Sequence, residues 1–155
     1  MSHIVRPATL ADIDALVHHR IAMFTEMGIA LDEPALAAAF RGWLHEMMPS
    51  GSYRAWVAED GGAVVAGGGI TVLPWPPGPQ YMGRRLAYVY NVYTEPGHRR
   101  RGLARLIMEA IHAWCRASDV ASVALNASRD GAPLYETLGY QVSPSPMMFL
   151  PIVRV

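Results

Sequence analysis

The stretch Glu95-Pro96-Gly97-His98-Arg99-Arg100-Arg101-Gly102-Leu103-Ala104 has the makings of an anion site. It stands between a β-rich run, Leu86 to Thr94, and an amphipathic run, Arg101 to Ala117, so the pattern predicts strand, turn and helix in that order. A helix start presents unpaired N–H groups and the positive end of its dipole, and Gly102 with the small Ala104 lets a phosphate approach the backbone. Each charge-assisted hydrogen bond to such an anion is worth about 1.5 to 3 kcal/mol, so several N–H donors with Arg99, Arg100 or Arg101 would anchor a pyrophosphate. The chain has no Gly-Lys-Ser/Thr of a P-loop and no G-x-G-x-x-G after a strand, which disfavours a nucleotide hydrolase or dehydrogenase.

The elements that must position this turn can be read on either side of it. Ile4 and Val5 suggest a first strand, and Thr9 with Asp12 resembles a capping box in which Asp replaces Glu. Ile13, Leu16, Val17, Ile21 and Phe24 then recur at helical spacing up to Gly28. A second helix starts near Asp32, with Pro34 in its first turn, and ends before Pro49. Tyr53 to Glu59 and Ala63 to Leu73 read as strands joined by a hairpin at Asp60, Gly61 and Gly62. Pro74 to Gly83 is a loop. After the amphipathic helix come a strand over Ala121 to Ala127, a short helix over Ala132 to Leu138, and a closing strand pair, Tyr140 to Val142 with Met147 to Val153. The order is βααβββαβαββ, which predicts an α/β (α+β) chain with a single mixed sheet covered by helices.

Bulk properties set the limits. At 155 residues, one domain over 1–155 is expected, able to bury a core without disulfides. Thirteen basic and thirteen acidic residues cancel, so the global field of a nucleic-acid binder is missing and any anion site must be local. The charged fraction of 17% is lean and leaves room for a homodimer that hides surface. The single cysteine, Cys115, falls in the pattern of Ile107, Ile111 and Trp114 and is read as core. His18, His19, His45 and His112 form no ligand-rich constellation, so no metal is expected. No secretory signal stands at the start, and no apolar run approaches the ~20 residues of a membrane span, so a cytoplasmic protein without a membrane partner is expected.

Arg99-x-x-Gly102-x-Ala104 resembles the [QR]-x-x-G-x-[GA] pyrophosphate motif of the GNAT superfamily of acyl-CoA N-acyltransferases. Thr94-Glu95-Pro96 stands where that family usually has V-x-P. Leu134-Tyr135-Glu136-Thr137-Leu138-Gly139-Tyr140 is similar to its closing L-Y-E-x-x-G-[FY] segment. The matches occur in the family's order and cover just over a third of the chain. The resemblance implies a single, mostly antiparallel central sheet of six to seven strands flanked by about four helices, with acetyl-CoA as cosubstrate and no metal.

The same resemblance implies residue roles. Val92, Tyr93 and Thr94 match the strand whose backbone pairs with the pantetheine arm, and the Val92 N–H matches the donor that polarises the thioester carbonyl. Arg99, Arg100, Arg101, Gly102, Leu103 and Ala104 would hold the pyrophosphate. Tyr135 matches the acid that protonates the departing thiolate; a phenol of pKa ~10 can give a proton to a thiolate of pKa ~8.5. An amine acceptor of pKa ~10.4 loses its proton at a cost of about 4 to 5 kcal/mol at pH 7, so a base or water chain is required. Relatives often place a Glu on the strand before the anion turn, but this chain reads Tyr88-Val89-Tyr90-Asn91. Asn91 could orient a water or the acceptor, and Glu26 ranks ahead of His45 and Glu46 as the base. Many relatives carry an Asn seven residues before the tyrosine; here Ser128 stands there with Asn126 nearby, to hold pantetheine or cap the last helix.

The acceptor is less defined. Met23, Met27, Trp43, Met47 and Met48, with Trp75 and Tyr81 of the proline-rich loop, could line an apolar pocket or simply pack. A small primary amine or amino-acid-like molecule leads over a peptide N-terminus or a protein lysine. A non-catalytic acyl-CoA sensor is the rival reading, motivated by the missing carboxylate. A nucleic-acid module built on Arg84, Arg85 and Arg99 to Arg101 is disfavoured by zero net charge.

Overall fold

The computed structural model describes residues 3–153. Its elements are β1 (Ile4–Pro7), α1 (Ile13–Glu26), α2 (Glu33–Met47), β2 (Tyr53–Asp60), β3 (Ala63–Pro74), β4 (Arg85–Thr94), α3 (Leu103–Ala117), β5 (Ser122–Leu125) and α4 (Ala132–Thr137). The five strands form one sheet in chain order, antiparallel from β1 to β4, with β5 parallel to β4.

Local chemistry accounts for the element ends. The Thr9 hydroxyl accepts from the Ala11 N–H at 3.3 Å, and Asp12 Oδ2 accepts from the Thr9 N–H at 2.7 Å. This box closes a 3-10 turn, Leu10–Asp12, that leads into α1. Asp12 is buried and gripped by Arg6, whose two terminal nitrogens donate to its oxygens at 2.8 and 2.9 Å. Those bonds hold its carboxyl below the usual range against the opposing effect of burial. Arg6 Nη2 also donates to Glu59 Oε1 at 2.8 Å, so one guanidinium ties β1 to the start of α1 and to β2. Asp32 caps α2 by accepting from the Ala35 N–H at 3.1 Å. Gly61 and Gly62, at φ 57° and 83°, make the two-residue turn between β2 and β3 that L residues resist.

The period of two along β2 sorts side chains between the sheet's faces. Trp56 and Ala58 join the cluster with Leu103, Ile107, Met108, Ile111 and Cys115 of α3. Tyr53, Ala55 and Val57 join Ile13, Leu16 and Val17 of α1 and Phe40 and Leu44 of α2. The helices therefore cover the sheet, as expected, with α3 on one face and α1 and α2 on the other. Cys115 is 3% exposed, as its place in the helical pattern indicates.

The expected count of six to seven strands is corrected to five, because the closing pair Tyr140 to Val142 with Met147 to Val153 does not form. Pro151 removes a ladder donor from the second of these runs, Pro144 and Pro146 restrict the link between them, and no strand of the described residues pairs with either. Its apolar side chains remain exposed, Met148 at 92% and Phe149 at 86%.

Candidate active site

A β-bulge creates the centre of the site. In the β3–β4 ladder, Gly67 faces Tyr93 and Gly69 faces Tyr90, so Asn91 and Val92 stand opposite the lone Gly68. Asn91 takes the left-handed conformation at φ 60°, which asparagine tolerates better than most side chains. The extra residue breaks the alternation: Val89 and Val92 pack toward α3, whereas Tyr90 and Asn91 both open onto the cleft under α1 and α2. Asn91 is then held from two sides. Its Nδ2 donates to the Tyr53 hydroxyl at 3.0 Å, and its Oδ1 accepts from Arg20 Nη1 at 2.5 Å.

The three glycines of β3 make this possible. A Cβ at Gly68 would stand 3.0 Å from Ile107 Cγ2 and 3.2 Å from Val92 Cγ2, and one at Gly69 would collide with the Tyr53 hydroxyl. Tyr53 is fully buried, and burial pushes its phenol up to about 12 although the bond from Asn91 and the charge of Arg20 pull the other way. It is therefore a neutral donor and acceptor throughout the physiological range.

Beyond the bulge, β4 loses its neighbour. The β4–β5 register ends at Val89 with Leu125, leaving the outer edge of Tyr90–Thr94 without a strand among the described residues. Open backbone groups along one edge can pair with an extended ligand as an added strand would. At the end of that edge lies the turn into α3. Arg100 at φ 61° and Gly102 at φ 77° are both left-handed, and Gly102 is the N-cap of α3 with no side chain covering the first-turn N–H groups. A Cβ at Gly102 would meet nothing within 4 Å, so the space above the cap is open. The cap and the first turn through Leu103, Ala104 and Arg105 thus fit a pyrophosphate, and the open edge fits a pantetheine arm.

Arg99 sits beside this turn. Its Nε donates to the Thr94 carbonyl at 2.9 Å and its Nη2 to Glu26 Oε1 at 2.7 Å, while the guanidinium lies 5.5 Å from the Tyr93 ring centre. Burial favours the neutral Glu26, but hydrogen bonds from Arg99 and Tyr93 outweigh it and hold the carboxyl below its usual range. Burial and the Glu26 carboxylate push Tyr93 up to about 12. Glu26 consequently faces the anion turn and is not among the side chains lining the α1–α2 cleft. Arg100 and Arg101 are exposed.

Tyr135, on α4, packs half-buried against the α3 cluster together with Val92, Leu125 and Tyr140. Burial raises its pKa, which keeps the phenol protonated. Ser128 shapes the turn before α4: its Oγ accepts from the Gly131 N–H at 3.1 Å and its carbonyl from the Ala132 N–H at 3.0 Å, while Gly131 itself is the N-cap, without a side-chain cap bond. Asn126 is exposed just past the end of β5.

On the α1–α2 side, a cleft of about 340 Å³ is lined by Arg20, Leu36, Ala39, Phe40, Trp43, Tyr90 and Asn91. Trp43 lines it as the sequence suggested. His45 and Glu46 are exposed on α2 outside it, and Met47 and Met48 pack against the core below. Trp75 and Tyr81 bond to each other across their own loop. Sequence reasoning missed Arg20, Tyr53 and Tyr90. Arg20 had a signal: it falls between Leu16 and Phe24 at spacings of four, a charge set in the apolar stripe of α1.

A family model described as "Acetyltransferase (GNAT) domain" matches residues 51–142, which take in the bulge, the anion turn and Tyr135. The chain belongs to the GNAT acetyltransferases. A GCN5-related N-acetyltransferase from Ralstonia eutropha JMP134 is 37% identical, with 97% of this chain and 99% of that one covered and a TM-score of 0.85. Two more distant structures share the fold. A predicted acetyltransferase from Clostridium acetobutylicum, solved with acetyl-CoA, is 24% identical over 96% of both chains with a TM-score of 0.83. Glucosamine-6-phosphate N-acetyltransferase from Arabidopsis thaliana is 16% identical, covering 97% of this chain and 99% of its own, with a TM-score of 0.68. No curated protein matches the chain. GNAT acetyltransferases use acetyl-CoA, and this chain is an acyl-CoA-dependent acetyltransferase of that family. No helix of the described residues is long and apolar enough to cross a membrane.

Proposed function

We propose that this GNAT domain, spanning residues 1–155, transfers acetyl from acetyl-CoA to the primary amine of a small, amino-acid-like molecule by direct attack in a ternary complex. The observation that carries the reading is the Asn91–Val92 bulge, flanked by the open β4 edge and anion turn on one side and by an aromatic cleft on the other. A donor laid along the open edge with its pyrophosphate at Gly102 brings its thioester to the bulge, and an amine in the cleft meets it there.

In this reading the Val92 N–H stabilises the oxyanion as the amine attacks, a preorganised dipole aimed at the developing charge. Tyr93 and Thr94 continue the edge that receives the pantetheine arm, with Asn126 beside it. Tyr135 gives its proton to the leaving thiolate. Asn91 holds the bulge in shape, since both ends of its amide are engaged. Glu26 is ionised at neutral pH and can take the acceptor's proton through water, while its bond to Arg99 orients that side chain toward the anion turn. The size of the cleft supports a small acceptor over a protein surface. Cytoplasmic action is part of the proposal, as is a homodimer in which the exposed segment 142–153 covers the free outer edge of β5 in a second copy.

Calorimetric titration with acetyl-CoA, followed by thiol release on adding pooled small amines, tests the reading. Binding with release is expected, and Gly102→Glu should abolish binding by placing bulk and charge in the open space above the cap. Binding without release across a broad amine panel would favour an acyl-CoA sensor. Undiminished binding by Gly102→Glu would misplace the anion site.

A further inference from the structure

Arg20 is the arginine whose surroundings the acetyl-transfer machinery leaves unexplained. It is half-buried on α1, with its guanidinium 4.9 Å from the Phe24 ring centre and 5.0 Å from that of Phe40. One of its N–H groups reaches Asn91, and no other protein acceptor is bonded to it among the described residues. Arg6, Arg41, Arg99 and Arg105 each pair with a carboxylate; Arg20 pairs with none of those described. The groups facing it are aromatic rings and the neutral amide of Asn91, with the phenols of Tyr53 and Tyr90 nearby. Burial consequently lowers its pKa, the two phenols opposing weakly, although an arginine stays charged regardless.

A cation partly removed from water without an anion is costly, and among the described residues the four remaining N–H donors have no protein acceptor and face the solvent of the cleft. Removing further water as an acceptor enters would raise that cost unless the acceptor brings an anion. The guanidinium forms part of the wall of the cleft of about 340 Å³, beside the bulge residue Asn91. Apart from the amide of Asn91, the rest of the wall, from Leu36, Ala39, Phe40, Trp43 and Tyr90, is apolar or aromatic.

We infer that the acceptor is a carboxylate-bearing amine with an apolar or aromatic body, its carboxylate received by the free fork of Arg20 and its body by Phe40 and Trp43. The inference rests on the acetyl-transfer reading for the amine alone; the carboxylate site stands on Arg20 and the cleft. Fork geometry matches a carboxylate with two parallel N–H bonds, which a lysine ammonium could not supply. Anchoring the carboxylate at Arg20, which also bonds the bulge residue Asn91, leaves an amine on a neighbouring carbon close to the bulge. Amino acids with apolar side chains meet these requirements.

The test separates the two readings. The intact protein, with and without saturating CoA, is titrated with 3-phenylpropionate and with 3-phenylpropanamide, probes that differ in charge and carry no amine. The carboxylate should bind at least ten-fold more tightly, and Arg20→Lys should erase most of that preference while leaving the amide's affinity within two-fold. Equal binding of the two probes, no binding of either, or an unchanged preference in Arg20→Lys would overturn the inference. In a parallel arm, phenylalanine should be acetylated with a kcat/KM at least ten-fold above that of phenylalaninamide or 2-phenylethylamine. Turnover of the carboxylate-free analogues as fast as that of phenylalanine or faster would sink the carboxylate site and leave acetyl transfer standing. Absence of acetyl-CoA binding would sink acetyl transfer, whereas the probe titration without CoA would still decide the site.

Discussion

Replacing Gly69 by alanine tests how the bulge is held. The added Cβ would fall within the van der Waals shell of the Tyr53 hydroxyl and stand 2.8 Å from the Arg54 carbonyl oxygen, so β2, β3 or the phenol must move. Tyr53 is 2% exposed and has little room to retreat. Overpacking of this kind costs about 1 to 3 kcal/mol, and displacing the hydroxyl also breaks the bond from Asn91, worth about 1 kcal/mol when both groups are buried. The sum is about 2 to 4 kcal/mol, which for a domain near 150 residues lowers Tm by roughly 5 to 15 °C. Tyr53→Phe would not relieve the clash, because the ring carbon bearing the hydroxyl also lies against the added Cβ. Tyr53→Leu shortens the side chain and should partly rescue Gly69→Ala, giving a coupling of about 1 kcal/mol or more in a double-mutant cycle. Thermal unfolding of the four proteins, with acetyl transfer measured in parallel, provides the assay. A Gly69→Ala protein melting within 1 °C of wild type, or additive behaviour in the cycle, would refute the packing argument. Normal stability with normal turnover would also remove the bulge from the proposed mechanism.

Other outcomes are expected on the same grounds. Tyr135→Phe should lower kcat about 100-fold or more with acetyl-CoA affinity within two-fold, and equal loss of both would make Tyr135 structural. Glu26→Gln should weaken acetyl-CoA binding if positioning Arg99 is its main task and alter the pH dependence of kcat if it accepts the proton; a variant unchanged in both would have neither role. His19 is 1% exposed and neither ring nitrogen has a hydrogen-bond partner; burial, then the nearby His18, lower its pKa to about 4. The unfolded chain then binds the extra proton first, so stability falls as pH drops from about 6.5 to about 4, by about 3 kcal/mol in total. Urea unfolding of wild type and His19→Phe at pH 7 and pH 4.5 checks this, and equal pH dependence in the two proteins would contradict it. Removing residues 142–155 should halve the mass seen by light scattering, whereas a full-length chain that is already monomeric would end the dimer proposal.

Sequence alone determined what depends on near neighbours. The Thr9–Asp12 box, the Gly61–Gly62 turn, the cap at Asp32 and the period of α3 are interactions within a few residues, and each was legible before any folding was considered. The turn into α3 was legible for the same reason, since Gly102 and the helix start it caps are adjacent in the chain. The five-stranded outcome was not. Met147 to Val153 has strand-like composition, but whether a segment pairs depends on a partner edge that composition cannot supply. Tertiary structure alone set Arg99 against Glu26, 73 residues apart, and so gave Glu26 a partner that changes its chemistry. It also joined Arg20, Tyr53 and Asn91 from α1, β2 and β4 into one hydrogen-bonded network. The charge at Arg20 was visible in the apolar stripe of α1, but its meaning was not: whether a half-buried cation has an anion is decided by every element packed around it.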